Sequence, residues 1–323
     1  MKVSVIVPTY HRSEYLRRCL KALARQIRKP DEVVVVMRDT DVDSGGLTTC
    51  IQIQYEETLT LKKITVLKPG KSVAINAGLE TVTGDIICFT DDDAEPHPDW
   101  IEKITKHFRN STVAGAGGRD IIIKNGRPIQ GKCKVVGQMS WFGRYIGNHH
   151  LQLESGEPME VDLLKGVNMA FRADYLDGFR LDENLRWQGA AHDEMDFCFF
   201  VKKRDGKIIF DPNIKVIHYV APRLWGAQRE ELTENIYEDS HNYTYLILKY
   251  FSWPKKMAFL TYFFLVGQRS SWGLLTMFID PLLRGRIVWG KQVVPSFKGK
   301  VDGIRTYLKY RKQEQILHKL GPS

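Results

Sequence analysis

Apolar runs and amphipathic segments alternate along the N-terminal third of the chain. Runs rich in strand-forming residues occupy residues 3–10, 31–37, 64–67 and 86–89. After the first run, Ser13 can cap a helix whose leucines from Leu16 to Leu23 keep helical spacing. Residues 71–79 form a second helical pattern, and four consecutive valines in the second run indicate burial on both faces. The alternation predicts an α/β fold with an open, mostly parallel sheet.

The last of these apolar runs ends in three consecutive acids, Asp91, Asp92 and Asp93. Open α/β sheets bind ligands at the carboxyl ends of their strands, and the triplet follows such an end. Strand alternation predicts that Asp91 and Asp93 share one face. Neighbouring carboxylates repel each other, and Mg²⁺ or Mn²⁺, which also binds phosphates, relieves that repulsion. The alternative is an acidic turn leading into a helix after Pro98.

Charge and cysteine content narrow the class of protein. The 323 residues carry a formal net charge of +9, concentrated in the N-terminal helix and the C-terminal third. A basic periphery around an acidic centre suits anionic substrates or an anionic membrane surface. Nucleic acid is the alternative partner, but no helix-turn-helix, zinc-finger or aromatic RNA-binding signature accompanies the charge. The five cysteines lack CxxC spacing, and Met1 leads directly into a strand pattern; reduced thiols, no signal peptide and a cytoplasmic location are predicted.

Two glycine-rich segments occupy the middle of the chain. Residues 115–119 lack the lysine-hydroxyl pattern of a phosphate-binding loop, and we interpret them as a strand followed by a tight turn. Residues 131–160 are rich in glycine, histidine and aromatic side chains. That composition predicts a variable, mobile loop that contacts substrate.

A second acidic cluster lies at the start of a predicted helix. Residues 193–203 have acids in the first turn, an apolar face and bases in the last turn, and Gly206 follows. Asp193 and Glu194 are stabilised there by the helix dipole, so helix capping alone would explain both. A catalytic role is the competing interpretation.

The order of these motifs resembles the family 2 glycosyltransferases. The matching motifs are VIVPTY at 5–10, NAGL at 76–79, GD at 84–85, DDD at 91–93 and PDW at 98–100. The resemblance extends over roughly residues 1–223. It implies the GT-A fold, a Rossmann-like, mostly parallel sheet flanked by helices. It also implies a domain at 1–225, with a nucleotide-sugar half at 1–110 and an acceptor half at 111–225, followed by a helical extension at 226–323.

The resemblance also implies roles for individual residues. Glu194 takes the position of the catalytic base with Asp193 beside it, although the family usually has Glu-Asp and this chain has Asp-Glu. The implied metal ligands are Asp93, Asp91 and His218, for Mn²⁺ or Mg²⁺. The implied acceptor contacts are Gly166 and Asn168. The implied donor contacts are Pro8, Tyr10, Arg12, Arg38, Asp39, Asp41, Lys71, Asn76, Asp91 and Asp92.

One departure from the family pattern follows the second strand. The family commonly places a pair of acids there, and the first contacts the nucleotide base. Met37 and Arg38 occupy those positions in this chain, and acids follow at Asp39 and Asp41. The interpretations left open are that one of these two acids takes over the contact, or that Arg38 reaches a phosphate or the base.

Two short apolar runs, 257–267 and 272–279, distinguish the C-terminal third. Each is shorter than the roughly 20 residues that span a bilayer. Flanking bases, among them Lys255 and Lys256, and nearby tryptophans predict helices that lie in a membrane interface. Helices packed on the catalytic domain are one alternative, and a single membrane span that contains Arg269, at a high energetic cost, is the other.

These patterns and the resemblance together predict a metal-dependent, inverting glycosyltransferase. It would move a sugar from a nucleotide-diphosphate sugar to a glycan, lipid-linked or polysaccharide, at the cytoplasmic face of a membrane. A sugar nucleotidyltransferase is a rival, but its usual glycine-rich N-terminal loop has no counterpart in residues 8–12. A non-catalytic protein that binds nucleotide sugars or scaffolds a membrane is the other rival.

Overall fold

The computed structural model describes residues 1–55, 59–185, 192–221, 232–268, 271–276, 282 and 290–320. The chain forms two compact units. The first unit consists of Met1–Gln138, Ile146–Asp182 and Asp193–Trp225. The second unit consists of Met139–Tyr145, Glu183–His192 and Gly226–Ser323. Two short internal segments therefore belong with the C-terminal part of the chain, which the sequence did not indicate.

The regular elements follow the predicted alternation of strands and helices. The strands are β1 Val3–Thr9, β2 Glu32–Arg38, β3 Leu61–Val66, β4 Ile86–Phe89, β5 Ala94–Pro96, β6 Val113–Lys124, β7 Arg127–Pro128, β8 Lys132–Cys133, β9 Gln138–Met139, β10 Tyr145–Ile146, β11 Gln152–Leu153, β12 Met159–Glu160, β13 Met169–Arg172, β14 Lys207–His218, β15 Gly267–Gln268 and β16 Ser271–Trp272. The helices are α1 Ser13–Ala24, α2 Val42–Gln54, α3 Lys71–Leu79, α4 Trp100–His107, α5 Asp193–Lys203, α6 Leu232–Tyr250, α7 Trp253–Leu265 and α8 Gly290–Leu320, with a 3₁₀ turn at Asp174–Leu176.

The first unit is built on one mixed sheet with the order β12-β14-β6-β13-β4-β1-β2-β3. Strands β3, β2, β1 and β4 run parallel to one another, and β14 runs parallel to β6. Strand β13 is antiparallel to both of its neighbours, β4 and β6. The predicted mostly parallel α/β sheet is confirmed.

The N-terminal core explains why these runs became central strands. The four valines Val33–Val36 are fully buried, and Val5 pairs with Val33 in register. Leucines Leu16, Leu20 and Leu23 of α1 are also fully buried. Side chains buried on both faces of a strand are typical of a parallel sheet with helices on either side.

Strand β6 corrects the prediction for residues 115–119. The predicted tight turn after residue 119 is wrong, because the strand continues to Lys124 and turns at Asn125 and Gly126, which both have positive φ. Small residues are needed along this strand, since a Cβ on Gly118 would lie 2.1 Å from the carbonyl oxygen of Ile214. The glycines therefore allow β14 to approach β6 closely.

Close helix packing holds the second unit together. A Cβ on Gly299 of α8 would lie 2.3 Å from the carbonyl oxygen of Tyr237 in α6. A Cβ on Gly303 would lie 2.6 Å from the carbonyl oxygen of His241. Glycines at these two positions let the backbones of α6 and α8 come close together.

The segment that was predicted to lie in a membrane interface includes a buried lysine. Among the residues described, no helix is both long enough and apolar enough to cross a bilayer. Lys256, expected at headgroup level, is buried instead and donates a hydrogen bond of 2.7 Å to the Tyr307 hydroxyl. Residues 277–279 of the second apolar run lie outside the described residues.

Candidate active site

The acidic triplet follows β4 after one intervening residue, Thr90, at the carboxyl end of the parallel strands. Asp91, Asp93 and His218 each offer one ligand atom, and these three atoms lie within 4.8 Å of one another. His218 reaches the triplet from the last residue of β14. The structure thus brings together the three side chains that were predicted as metal ligands.

The donor set fits a hard divalent cation. Asp93 is buried, and its Oδ2 accepts a hydrogen bond of 2.7 Å from the Ala221 amide. Its Oδ1 has no hydrogen-bond partner among the described residues, although His218 Nε2 lies 3.4 Å away. A buried carboxylate oxygen that faces a second carboxylate and an imidazole suits Mn²⁺ or Mg²⁺.

The middle acid of the triplet has a separate role. Asp92 is buried, accepts a hydrogen bond of 2.8 Å from Thr9 Oγ1, and pairs with Arg12 Nη1 at 3.0 Å. Burial raises the pKa of Asp92 to about 7, while the charge of Arg12 acts to lower it. Arg12 Nη1 also lies 3.6 Å from Asp93 Oδ2. Arg12, predicted to contact the donor, instead contacts two of the acids that follow β4.

Asp120 belongs to this cluster and was missed in the sequence. It lies on β6, it is buried, and its Oδ2 is 3.8 Å from His218 Nδ1. Burial alone would lower the pKa of His218, but Asp120 and Asp93 raise it to about 9. Asp120 lies two residues after the last glycine of β6, where an isolated acid within a buried strand was the available signal.

Lys71 links the acidic triplet to the second acidic cluster. Its Nζ lies 3.3 Å from Asp91 Oδ1 and 3.1 Å from Asp193 Oδ2. Burial acts to lower the pKa of Lys71, but the charges of Asp193 and Asp91 more than offset this and raise the pKa. A protonated lysine therefore joins the N-terminus of α3 to the N-terminus of α5.

The two acids that open α5 differ in their surroundings. Asp193 is buried, accepts a hydrogen bond of 3.1 Å from the Glu194 amide, and holds Lys71. Burial raises the pKa of Asp193 to about 7, with Lys71 acting in the opposite direction. Glu194 is partly exposed, and its Oε1 lies 3.7 Å from Lys165 Nζ. Asp193 does more than cap the helix, and Glu194 is the more accessible carboxylate.

Comparisons with known proteins show which family this chain resembles. The model of the family described as "Glycosyl transferase family 2" matches residues 4–155. An uncharacterized glycosyltransferase of Nostoc sp. is 31% identical over 130 residues, which cover 40% of each chain. A glucosyl-dolichyl phosphate glucuronosyltransferase of Haloferax volcanii is 29% identical over 233 residues, 68% of this chain and 69% of the relative. Over residues 4–155 the chain is similar to glycosyl transferase family 2.

Solved structures extend the similarity to the fold. A mannosyltransferase from Pyrobaculum calidifontis, in complex with GDP-Man and Mn²⁺, has a TM-score of 0.60 at 15% identity. The alignment covers 95% of this chain and 87% of that one. The fold is therefore GT-A, as predicted. The matched segments span 40%, 36% and 14% of the first three curated relatives.

The two acids that follow β2, Asp39 and Asp41, have different surroundings. Asp41 is buried and accepts hydrogen bonds from the amides of His11, at 2.6 Å, and Ser44, at 3.1 Å. Asp39 is 42% exposed and lies 3.8 Å from Arg38 Nε. The Arg38 guanidinium lies 5.9 Å from the ring centroid of Tyr10. Three of the predicted donor contacts therefore lie close together: Tyr10, Arg38 and Asp39. A fourth, Pro8, lies near the end of β1.

Two asparagines with predicted ligand roles hold the protein backbone. Asn76 accepts from the Leu181 amide at 2.8 Å and donates to the Leu181 carbonyl at 3.0 Å. Asn168 accepts from Trp100 Nε1 at 2.8 Å and donates to the carbonyls of Arg119 and Ile214. Ligand contacts by Asn76 and Asn168 stay predictions.

Gly166 lies beside the pair formed by Lys71 and Asp193. A Cβ on Gly166 would lie 3.8 Å from Asp193 Oδ1 and 3.8 Å from Lys71 Nζ. The backbone at Gly166 therefore lies near Asp193, which adjoins the candidate catalytic base Glu194.

Proposed function

We propose that this chain is an inverting glycosyltransferase that uses a nucleotide-diphosphate sugar and a divalent cation. The observation that carries the proposal is the link made by Lys71. It joins Asp91, on the side of the candidate metal ligands, to Asp193, which adjoins the candidate base Glu194. Phosphate-binding and proton-accepting groups are then held at one edge of one sheet.

Each group has a role in the proposed transfer. A cation held by Asp91, Asp93 and His218 would neutralise charge on the phosphates of the donor. Glu194 accepts the proton of the acceptor hydroxyl while the hydroxyl oxygen forms a bond to the anomeric carbon of the donor sugar. The bond from that carbon to the departing diphosphate oxygen breaks on the opposite face, so a single displacement inverts the anomeric centre. Asp193 is a positioning residue, because Lys71 already occupies its carboxylate.

The donor base is proposed to contact Asp39 rather than Asp41. Asp41 is buried and holds the amides of His11 and Ser44, whereas Asp39 is exposed next to Arg38. Tyr10 provides an aromatic ring beside the same guanidinium. A carboxylate for base hydrogen bonding next to a ring and a cation suits a nucleotide.

The acceptor is proposed to be a lipid-linked or polysaccharide glycan at the cytoplasmic face of a membrane. The name of the Haloferax volcanii relative supports this class, because that protein acts on a glucosyl-dolichyl phosphate. The basic excess of the chain, +9, would favour an anionic surface.

Release of nucleoside diphosphate from a panel of UDP- and GDP-sugars, with and without Mn²⁺, tests the reaction. Glu194→Gln keeps the size of the side chain but removes the proton acceptor. Donor affinity should persist while transfer falls by about 10²–10⁴-fold. Glu102→Gln, on the partly exposed side of α4, is the matched control and should transfer normally.

Three outcomes would contradict the proposal. Release of pyrophosphate instead of nucleoside diphosphate would indicate a nucleotidyltransferase. Donor binding without turnover on any acceptor would indicate a non-catalytic binding protein. Normal transfer by Glu194→Gln together with inactive Asp193→Asn would move the base to Asp193.

A further inference from the structure

The outward side of α8 carries apolar and basic side chains that alternate along the helix. The exposed apolar residues, at seven-residue intervals, are Val294 (66%), Val301 (38%) and Leu308 (59%). The exposed basic residues, at the same interval, are Lys298, Arg305 and Lys312. At about 100° per residue all six fall within an arc of about 80°. These six residues are called the outer face of α8.

The opposite side of the helix is fixed against the rest of the second unit. Gly299 and Gly303 approach the backbone of α6, and Lys300 is fully buried. The Tyr307 hydroxyl accepts a hydrogen bond from Lys256 of α7. These contacts set the rotation of α8, so most of the outer face points away from α6 and α7, while Lys298 Nζ at its edge lies 5.7 Å from the ring centroid of Tyr237 in α6.

Basic residues outnumber acidic residues along this helix. Between residues 294 and 316 the basic residues are Lys298, Lys300, Arg305, Lys309, Arg311 and Lys312. The acids in the same interval are Asp302 and Glu314, and Asp302 is paired with Arg305 at 2.8 Å. A basic, partly apolar helix face is complementary to an anionic surface that also offers an apolar layer.

We propose that the outer face of α8 lies on an anionic lipid bilayer. The charged ends of the lysine and arginine side chains would reach lipid phosphates. The two valines and the leucine would enter the boundary between the lipid headgroups and the acyl chains. The interval 294–316 is about 33 Å long, so the helix would lie along the surface. The contact does not depend on the transfer reaction, and it differs from the segment 257–279 that the sequence indicated.

The arrangement of charges favours lipid over the other occupants. A second copy of the chain, packed face to face, would bring Lys298, Arg305 and Lys312 of both copies into one interface, where the outer face offers no acid to pair with them. A nucleic acid backbone would pair with the bases but would leave the apolar residues against water or phosphate. A bilayer interface satisfies both kinds of side chain.

Vesicle flotation tests the proposal with the full chain and without donor or acceptor. Wild-type protein should bind vesicles that contain phosphatidylglycerol and should bind pure phosphatidylcholine weakly, with binding lost at high salt. Each basic residue near an anionic surface contributes about fivefold in binding. The triple variant Lys298→Gln/Arg305→Gln/Lys312→Gln should therefore bind about 100-fold more weakly. Val301→Ser/Leu308→Ser should also bind more weakly, by tenfold or more.

Two control variants assign the effect to this face. Lys63→Gln/Lys203→Gln/Lys207→Gln removes the same charge from exposed positions of the first unit and should change binding by less than tenfold. Trp253→Ser/Met257→Ser removes exposed apolar side chains of α7 and should bind like the wild type. All variants are compared at matched thermal stability.

Several results would overturn the proposal. Equal losses of vesicle binding in the α8 triple variant and in the first-unit triple variant would show that binding depends only on net charge. Loss of binding only in the α7 variant would place the contact there. Tighter binding to duplex DNA than to vesicles would indicate nucleic acid. A dimer in sedimentation that dissociates in Val301→Ser/Leu308→Ser would show that a second copy covers the face. Absence of vesicle binding at low salt would refute the proposal outright.

Discussion

Lys71 is the residue on which the geometry of the candidate site depends most. It bridges Asp91 and Asp193 at 3.3 and 3.1 Å, and these acids come from distant parts of the sequence. Its pKa is raised because the neighbouring carboxylates more than offset its burial. A lysine that stays protonated can hold both carboxylates in fixed positions, which transfer reactions require.

Lys71→Met is expected to separate metal binding from catalysis. The substitution keeps much of the side chain's length but removes the charge that fixes Asp193 beside Glu194. Transfer should fall by about 10²-fold, because small misplacements of reacting groups have effects of that size. Affinity for Mn²⁺, measured by calorimetry, should stay the same or increase, since Asp91 loses a competing cation. Lys103→Met, which removes a surface pair with Asp99, is the control. A loss of Mn²⁺ affinity as large as the loss of rate would contradict this role.

Asp93→Asn is expected to abolish metal-dependent donor binding. The amide oxygen can still accept the hydrogen bond from the Ala221 amide, so the fold should persist. The negative charge that faces Asp91 and His218 is lost, and Mn²⁺ should no longer increase donor affinity. Calorimetric titration of the donor with and without Mn²⁺ measures the effect, with exposed Asp205→Asn as the control. Unchanged Mn²⁺ dependence would remove the triplet from the site.

At the scale of elements, α8 combines an outer basic face with a buried lysine. Lys300 Nζ donates hydrogen bonds of 2.6 Å to the carbonyls of Phe263 and Trp272. It also lies 4.3 Å from the ring centroid of Phe263 and 5.0 Å from that of Phe297. Burial lowers the pKa of Lys300 to about 7. The helix thus joins the end of α7 and β16 through a lysine whose charge is costly to bury.

Lys300 gives the stability of the chain a pH dependence with a defined sign. Between pH 7 and the ordinary lysine pKa of 10.5, the unfolded chain keeps a proton that the folded chain has released. The free energy of unfolding therefore rises with pH across that window, by up to about 1.4 kcal/mol per pH unit. Urea denaturation from pH 6 to 9 should show this rise relative to Lys300→Met, which has no such group. Parallel curves for the two proteins would show that Lys300 stays charged throughout.

At the scale of the whole molecule, the second unit includes chain from the middle of the sequence. The Tyr243 hydroxyl donates to the Gly143 carbonyl at 2.7 Å, and the ring of Phe142 lies 4.6 Å from that of Tyr262. His192 Nε2 lies 2.8 Å from Asp239 Oδ1. Phe142, Gly143 and His192 therefore have contact partners beyond residue 226.

A chain shortened to residues 1–225 is expected to be less stable than the full chain. It retains every proposed site residue, but Phe142, Gly143 and His192 lose the contacts just described. Thermal unfolding should begin at a lower temperature, and transfer should be lost along with stability. A chain ending at residue 316, which keeps these contacts, is the control. Equal melting temperatures and full activity of the 1–225 chain would show that the predicted division at 225 also marks an independent catalytic domain.

Local patterns in the sequence determined the elements of the first unit and the position of its acids. Consecutive valines and helically spaced leucines fix burial within a few residues, so β1, β2, α1 and α5 were predictable. The acid triplet was recognisable because carboxylates directly after a buried strand end at the ligand edge of such a sheet. The motif resemblance added the GT-A fold and the family.

Only the tertiary structure decided which of these residues meet and which are already engaged. Lys71 could not be placed between Asp91 and Asp193, nor Asp120 beside His218, because those pairs form through the packing of distant elements. The sequence also could not show that the Asp41 carboxylate accepts a hydrogen bond from the distant His11 amide, whereas Asp39 is exposed. A residue's type and local period predict its burial, whereas its partners depend on the register in which separate elements pack.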